Sequence, residues 1–161
     1  MRSPLALAAL LAGLAVPAHA DAVGDLRACV EASDLRDDQQ DCVETVYAAC
    51  SEASGDSSTA GDVECLGKEI EAWEALLNAY WPEVQALAEA QDAQDAGAEG
   101  GYSARLLEAQ RAWVDYRDAE CAWQYQRFSS GTIRSLIGAD CKLGMTADRV
   151  LDFREWLADA P

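Results

Sequence analysis

The chain has 161 residues, a length suited to one domain, and its 29 acidic against 12 basic residues give a net charge of −17. So acid a surface, with no basic patch, argues against nucleic acid and anionic membrane as partners. A single histidine, His19, is present.

Residues 1–20 have the pattern of a secretory leader. Arg2 supplies the positive start, "LALAALLAGLAV" is a twelve-residue apolar run, and "AHA" closes it with an A-x-A cleavage site. The run is shorter than the ~20 residues a spanning helix needs. Cleavage after Ala20 leaves residues 21–161 as a single exported domain, periplasmic or extracellular. It removes one of the 12 basic residues and none of the 29 acids, so the charge becomes −18. It also removes His19, and with it Ser-His-Asp and Cys-His catalysis, histidine metal sites and a histidine pH switch. No cysteine stands near the cleavage point to carry a lipid, and no insertion into the membrane is expected afterwards.

"DAVGDLRACVEAS" and "LRDDQQDCVETVYAAC" read as two short helices, the second carrying both Cys42 and Cys50. "DLRDDQQD" resembles a calcium loop only superficially. It lacks the central glycine and the closing glutamate, so it reads as a solvated helix start. "SEASGDSSTAGD" is a polar loop. Then Val63, Leu66, Ile70, Trp73, Leu77, Tyr80, Val84 and Leu87 recur at alternating spacings of three and four, the stripe of a long helix. Pro82 removes one hydrogen bond from that helix and predicts a kink or a break near Tyr80. "AQDAQDAGAEGG" loses the period and reads as a fraying end and a turn.

A second long helix begins after Ser103, with Leu107, Gln110, Val114, Arg117, Cys121, Gln124 and Phe128 on its inward stripe. The two long helices are expected to form an antiparallel hairpin. Gln110 and Arg117 then stand where apolar residues belong. Arg117 can be buried only if carboxylates and carbonyls meet its donors, and Glu64, Glu71 and Glu74 face it from the preceding helix. A polar layer fixing the register of the hairpin is favoured over a clamp for an anionic ligand. "SSGTIRSLIGADCKLGM" reads as irregular and pinned by Cys141, with Thr146 as N-cap of a last helix, "ADRVLDFREWLAD". Trp73 and Trp113 fall on or beside the core stripes. Trp81, Trp123, Trp156, Tyr102 and Tyr125 are suited either to a protein interface or to cover by the short helices.

Six cysteines in an exported small domain indicate a disulfide framework. Cys42 and Cys50, eight residues apart on one helix, stand roughly 12 Å apart and out of bonding reach. Local pairing is favoured: Cys29–Cys42, Cys50–Cys65 and Cys121–Cys141. The expected fold is all-α, a small disulfide-stapled domain built on a long antiparallel helix hairpin with short flanking helices. No cofactor, metal or catalytic residue is expected. Carboxylate pairs at glycosidase spacing carry no information among 29 acids.

Several of these residues also carry a resemblance. "LLNAYW", "LLEAQRAWVDYRDAEC", a Gly131-Thr132 turn and "DCKLGMTADRV" resemble the LprI-like N-terminal domain family, named for a lysozyme inhibitor, over roughly Cys50 to Leu157. The matching positions are Leu77, Asn78, Tyr80, Gln110, Arg111, Trp113, Tyr116, Arg117, Asp118, Cys121, Gly131, Thr132, Cys141, Thr146 and Arg149. Asn78-Ala79-Tyr80 is one residue shorter than the family spacing, the Cys29–Cys42 segment is an N-terminal addition, and a lipidation cysteine is lacking. The resemblance implies a non-enzymatic inhibitor of lysozyme-type muramidases, with a basic lysozyme-type protein as partner. Within the family motif, Gln110, Trp113, Tyr116, Arg117, Asp118, Thr146 and Arg149 are read as structural. Ser129, Ser130, Gly131, Thr132 and Arg134, in a loop over 129–137, are read as the binding surface. Two other functions stand beside this one: a structural or interaction protein of the cell envelope with no enzyme target, and a hydrolase using two of its carboxylates.

Overall fold

Ser58 starts the longest element: its hydroxyl accepts from Gly61 N at 3.2 Å, satisfying one of the unpaired donors of the first turn. In the computed structural model, which describes residues 18–95 and 100–160 (only the backbone for 18–21), six helices follow in order. They are α1 (Ala18–Glu31), α2 (Arg36–Gln40), α3 (Thr45–Ser54), α4 (Thr59–Gln94), α5 (Tyr102–Arg127) and α6 (Arg134–Ala158). No strand occurs among the described residues. The leader assigned to residues 1–20 lies outside them, apart from its last three positions in the first turn of α1.

α4 is the central element, 36 residues long and unbroken by Pro82. Pro82 and Asn78, whose carbonyl the missing N–H would have served, are both exposed. Water can therefore take that carbonyl, and the helix continues where a break was expected. Burial wraps further round α4 than one stripe, taking in Cys65, Glu69, Ala72, Leu76 and Ala88, because other helices cover it on several sides.

α6 is the main partner of α4. It runs as one 25-residue helix through the segment expected to be irregular. Leu143, Ala147, Val150, Leu151 and Phe153 from α6 meet Trp73, Leu76, Leu77, Tyr80 and Val84 from α4, and Leu26 and Val30 of α1 close the same core. Gly138 lies against Tyr125, where an added Cβ would stand 3.2 Å from the ring, so the glycine marks a close approach of α5 to α6. Thr146 is not an N-cap. It lies in the interior of α6, fully buried, and donates to the Lys142 carbonyl at 2.7 Å. Contacts of Ser103 with Asp92 and Arg117 with Glu74, and of Gln110 with Arg149 and Arg117 with Thr146, set α5 antiparallel to both α4 and α6. The hairpin expected from α4 and α5 is thus one side of a three-helix arrangement.

Disulfides join Cys29 to Cys42, Cys50 to Cys65 and Cys121 to Cys141, with Cα separations of 6.0, 5.5 and 5.5 Å. Each closes a local loop and stabilises by roughly 3 kcal/mol in the chain-entropy account. Cys42 and Cys50 do not share a helix. Glu44 takes a left-handed φ of 71° between α2 and α3, and Cys42 sits in that turn. Arg36 reaches Asp148 and Asp152 while Arg154 reaches Asp34, fastening the N-terminal module to α6.

The start of α5 depends on a carboxylate borrowed from the end of α4. Gly101 precedes α5 and has no side chain to cap it, so Asp92 accepts from Tyr102 N, Ser103 N and Ser103 Oγ. The Ser103 hydroxyl and the two amides hold this carboxyl below its ordinary value. Its contribution is present above the ordinary carboxylate range and fades as pH falls through the lowered native value. Chemical denaturation of Asp92→Ala should therefore show lower stability at neutral pH. The acid limb of its stability–pH profile should be flatter than in the unsubstituted protein.

Candidate functional site

The inward face of α5 keeps Gln110, Arg117 and Cys121 of the expected stripe but has Leu106 and Trp113 in place of Leu107 and Val114. Leu107, Val114 and Phe128 are exposed at 36–37%, while Leu106, Gln110, Trp113, Arg117 and Cys121 turn inward. Only Arg117 and Cys121 of α5 are fully buried. The contact between α5 and the rest of the molecule is therefore largely polar.

Arg117 forms its centre. Nη1 donates to Glu74 of α4 at 3.2 Å and to Thr146 Oγ1 of α6 at 3.1 Å, and Nε donates to Asp118 at 3.1 Å. The guanidinium also lies over the Trp113 ring, 5.0 Å from its centroid. One residue from each long helix thus meets in a single layer. Two turns along α5, Gln110 Oε1 accepts from Arg149 Nε at 2.9 Å, and Arg149 approaches the same Trp113 ring at 5.6 Å. Burial pushes the Arg149 guanidinium below its ordinary pKa, and Asp152 opposes that shift. Phe153 and Trp156 each lie 5.0 Å from Arg149 on its other sides. All three guanidinium nitrogens of Arg117 are engaged within the chain. These hydrogen bonds join α5 to α4 and α6 through one polar layer.

Tyr116 and Asp118, adjacent in the same motif, behave differently. Tyr116 is 60% exposed and Asp118 lies at the rim. Among the described residues, no group of three or more His, Cys, Asp or Glu stands where it could hold a metal ion.

The loop assigned to 129–137 is shorter than expected, because α6 begins at Arg134 and Ser135 to Ile137 are helical. Ser129, Ser130, Gly131, Thr132 and Arg134 come together along one wall of a cleft of about 650 Å³, with Thr59, Ala60 and Val63 from the start of α4 opposite. Gly131 N bonds to Phe128 O at 3.0 Å, and Arg134 stacks over Tyr125 at 5.0 Å. Among the described residues, no carboxylate lines the cleft. Of the aromatic residues open to two readings, Trp81 stacks on Phe153 at 5.7 Å and is core. Trp156 is partly covered, and Trp123 is 55% exposed.

Sequence reasoning missed Glu69, a fully buried carboxylate that accepts from Glu44 N, from Tyr47 N at 2.7 Å and from Trp73 Nε1 at 3.0 Å. The available signal was its position beside Trp73 on the core side of α4, four residues after Cys65.

A family model described as "Lysozyme inhibitor LprI" matches residues 50–153, about two thirds of the chain. An uncharacterized protein of Rhizobium meliloti (strain 1021) is 26% identical over 99 residues, covering 60% of this chain and 71% of the relative. No solved structure matches. The matched span holds α4, α5, nearly all of α6 and the end of α3, so the polar layer and the cleft both lie inside it, whereas the Cys29–Cys42 module precedes it.

Proposed function

We propose that this chain, which belongs to the lysozyme inhibitor LprI family, is an exported acidic protein that binds and inhibits basic muramidases of the lysozyme type and catalyses no reaction itself. The family match over 50–153 carries the reading. Three disulfides agree with an oxidising compartment outside the cytoplasm. No helix among the described residues is long and apolar enough to cross a membrane. A net charge of −17 steers the chain towards a strongly basic target and speeds encounter. The turn at Ser129–Thr132, with Arg134, supplies short-range contacts.

The test is lysis of bacterial cell walls by a basic lysozyme, followed by turbidity with and without the purified protein. Inhibition that saturates at a fixed stoichiometry is the expected result. Raising salt from ~0.05 to ~0.5 M shrinks the screening length from about 14 to about 4 Å. Association, measured by surface-immobilised binding, should then slow about tenfold while dissociation changes little. An unrelated acidic helical protein that inhibits equally well would reduce the effect to non-specific attraction. Unhindered lysis would leave the chain as an envelope interaction protein with no enzyme target.

A further inference from the structure

The distribution of charge along the α5–α6 hairpin is unlike that of the rest of the molecule. The chain holds 29 acidic residues, yet the 18 residues from Ala122 to Ala139 hold none. That acid-free stretch is the tip of the hairpin beyond the Cys121–Cys141 disulfide. It contains Arg127 and Arg134. Among the described residues neither has a carboxylate within ion-pair distance, whereas Arg27, Arg36, Lys68, Arg105, Arg117, Arg149 and Arg154 are paired with acids and only Arg111 and Lys142 outside the tip are not. Arg127 lies instead over Trp123 at 4.8 Å and Phe128 at 5.7 Å. Trp123, Phe128 and Ile133 are 55%, 37% and 50% exposed. Three large apolar side chains and two unpaired guanidiniums are thus grouped at one end of a strongly acidic protein, beside a cleft that no carboxylate lines.

Building on the inhibitor reading, we infer that this tip is the part that enters the partner, and that it docks into a carboxylate-lined substrate cleft on a basic muramidase. A glycosidase cleft presents two carboxyl groups about the scissile bond. An acidic inhibitor is drawn to the basic body of such an enzyme but repelled by those carboxylates wherever its own acids approach them. The acid-free tip escapes that repulsion, and its arginines offer donors to the cleft. Trp, Phe and Arg in a small patch are the residue types that dominate binding energy at interfaces. Their stacking over one another and the disulfide behind them hold the patch in place before contact, which limits the ordering cost of binding. The polar residues already assigned to the turn then form the rim, and Trp123, Arg127, Phe128 and Ile133 the anchors.

The experiment measures the affinity of the full-length, disulfide-intact protein for a basic animal lysozyme, alone and with its cleft filled by chitotriose. The same affinity is measured for Trp123→Ala, Arg127→Ala and Arg134→Ala, with Arg105→Ala, at the far end of α5, as the charge-matched control. Chitotriose is expected to compete, and each tip substitution to weaken binding tenfold or more with an unchanged melting temperature, while Arg105→Ala binds as the unsubstituted protein does. The competition arm needs no variant and so holds even if a substitution disturbs the fold. Binding that persists with the cleft filled, or is indifferent to all three tip substitutions, overturns the docking mode and leaves the inhibitor reading standing. Absence of any lysozyme binding by the unsubstituted protein overturns both. Quenching of Trp123 by chitotriose without lysozyme would make the tip a glycan surface, and dimerisation lost in Trp123→Ala would make it a self-association surface; either result overturns the inference.

Discussion

Glu69→Ala should cost about 4 kcal/mol and bring the chain close to unfolding at ~37 °C, given that small domains are stable by only ~5–15 kcal/mol. Glu69 is fully buried and gives one carboxylate oxygen to Glu44 N and Trp73 Nε1 and the other to Tyr47 N. Alanine leaves the buried indole N–H of Trp73 and two part-buried amides without an acceptor, at roughly 1–3 kcal/mol for each donor that stays shut off from water. It also releases Glu44 from a left-handed conformation that costs a non-glycine residue about 1 kcal/mol and that its amide bond to Glu69 maintains. The turn between α2 and α3 would then lose its anchor, leaving the Cys50–Cys65 bridge and the bond from the Tyr47 hydroxyl to Asp62 to hold α3 on α4. Glu69→Gln keeps one oxygen for two of the donors but sets an amide NH₂ against the third, so its cost should fall between the two. Urea unfolding followed by far-UV circular dichroism would order the three proteins. Equal stability of Glu69→Ala and the unsubstituted chain would show that these hydrogen bonds contribute nothing net.

Periodicity worked where a helix carries many buried apolar residues. α4 supplies much of the core, and its stripe was legible from Val63 to Leu87. α6 was hidden for the opposite reason. Gly138, Gly144 and Thr146 interrupt its apolar pattern and imitate a loop with a cap, although all three are helical here. Gly138 admits Tyr125, and Thr146 closes on the Lys142 carbonyl. α5 was recognised as a helix with Gln110, Arg117 and Cys121 facing inward, but its apolar contacts come from Leu106 and Trp113. Leu107 and Val114 looked inward because they are apolar, whereas α5 packs at the edge of the molecule and uses Gln110, Trp113 and Arg117 for contact.

The site was legible as a list of residues and not as an arrangement. Gln110, Arg117, Thr146 and Arg149 stand out in the sequence, but their pairing requires α6 to be one helix lying antiparallel to α5 in a definite register. Reading Thr146 as a cap removed that partner from view. Likewise the charge asymmetry of the hairpin tip is present in the residue string, where Ala122 to Ala139 lack any acid. It acquires meaning only when the fold places that stretch at one end, with Arg127 stacked on Trp123 beside a cleft that no carboxylate of the described residues lines.

Arg117→Ala should cost about 2–3 kcal/mol and lower the melting temperature by roughly 10 °C. Removing one partner of a fully buried ion pair typically costs ~3–5 kcal/mol, because the other charge is stranded. Here the side chains of Glu74 and Asp118 remain 39% and 54% exposed, so water can solvate both once Arg117 is gone. What cannot be recovered is the bond to buried Thr146, the stacking on Trp113 and the volume of the guanidinium itself. Arg117→Lys preserves the charge but offers a single ammonium in place of a planar fork, so it should recover less than half of the loss. A double-mutant cycle with Thr146→Val isolates the contact that joins α5 to α6, and a coupling of about 1 kcal/mol or more is expected. Inhibition measured well below the melting temperature should be unchanged in Arg117→Ala, since all three guanidinium nitrogens of Arg117 already bond within their own chain. A variant that melts normally yet no longer inhibits would reverse the assignment: Arg117 would then be contacting the partner, and the layer between the three long helices would be a binding device.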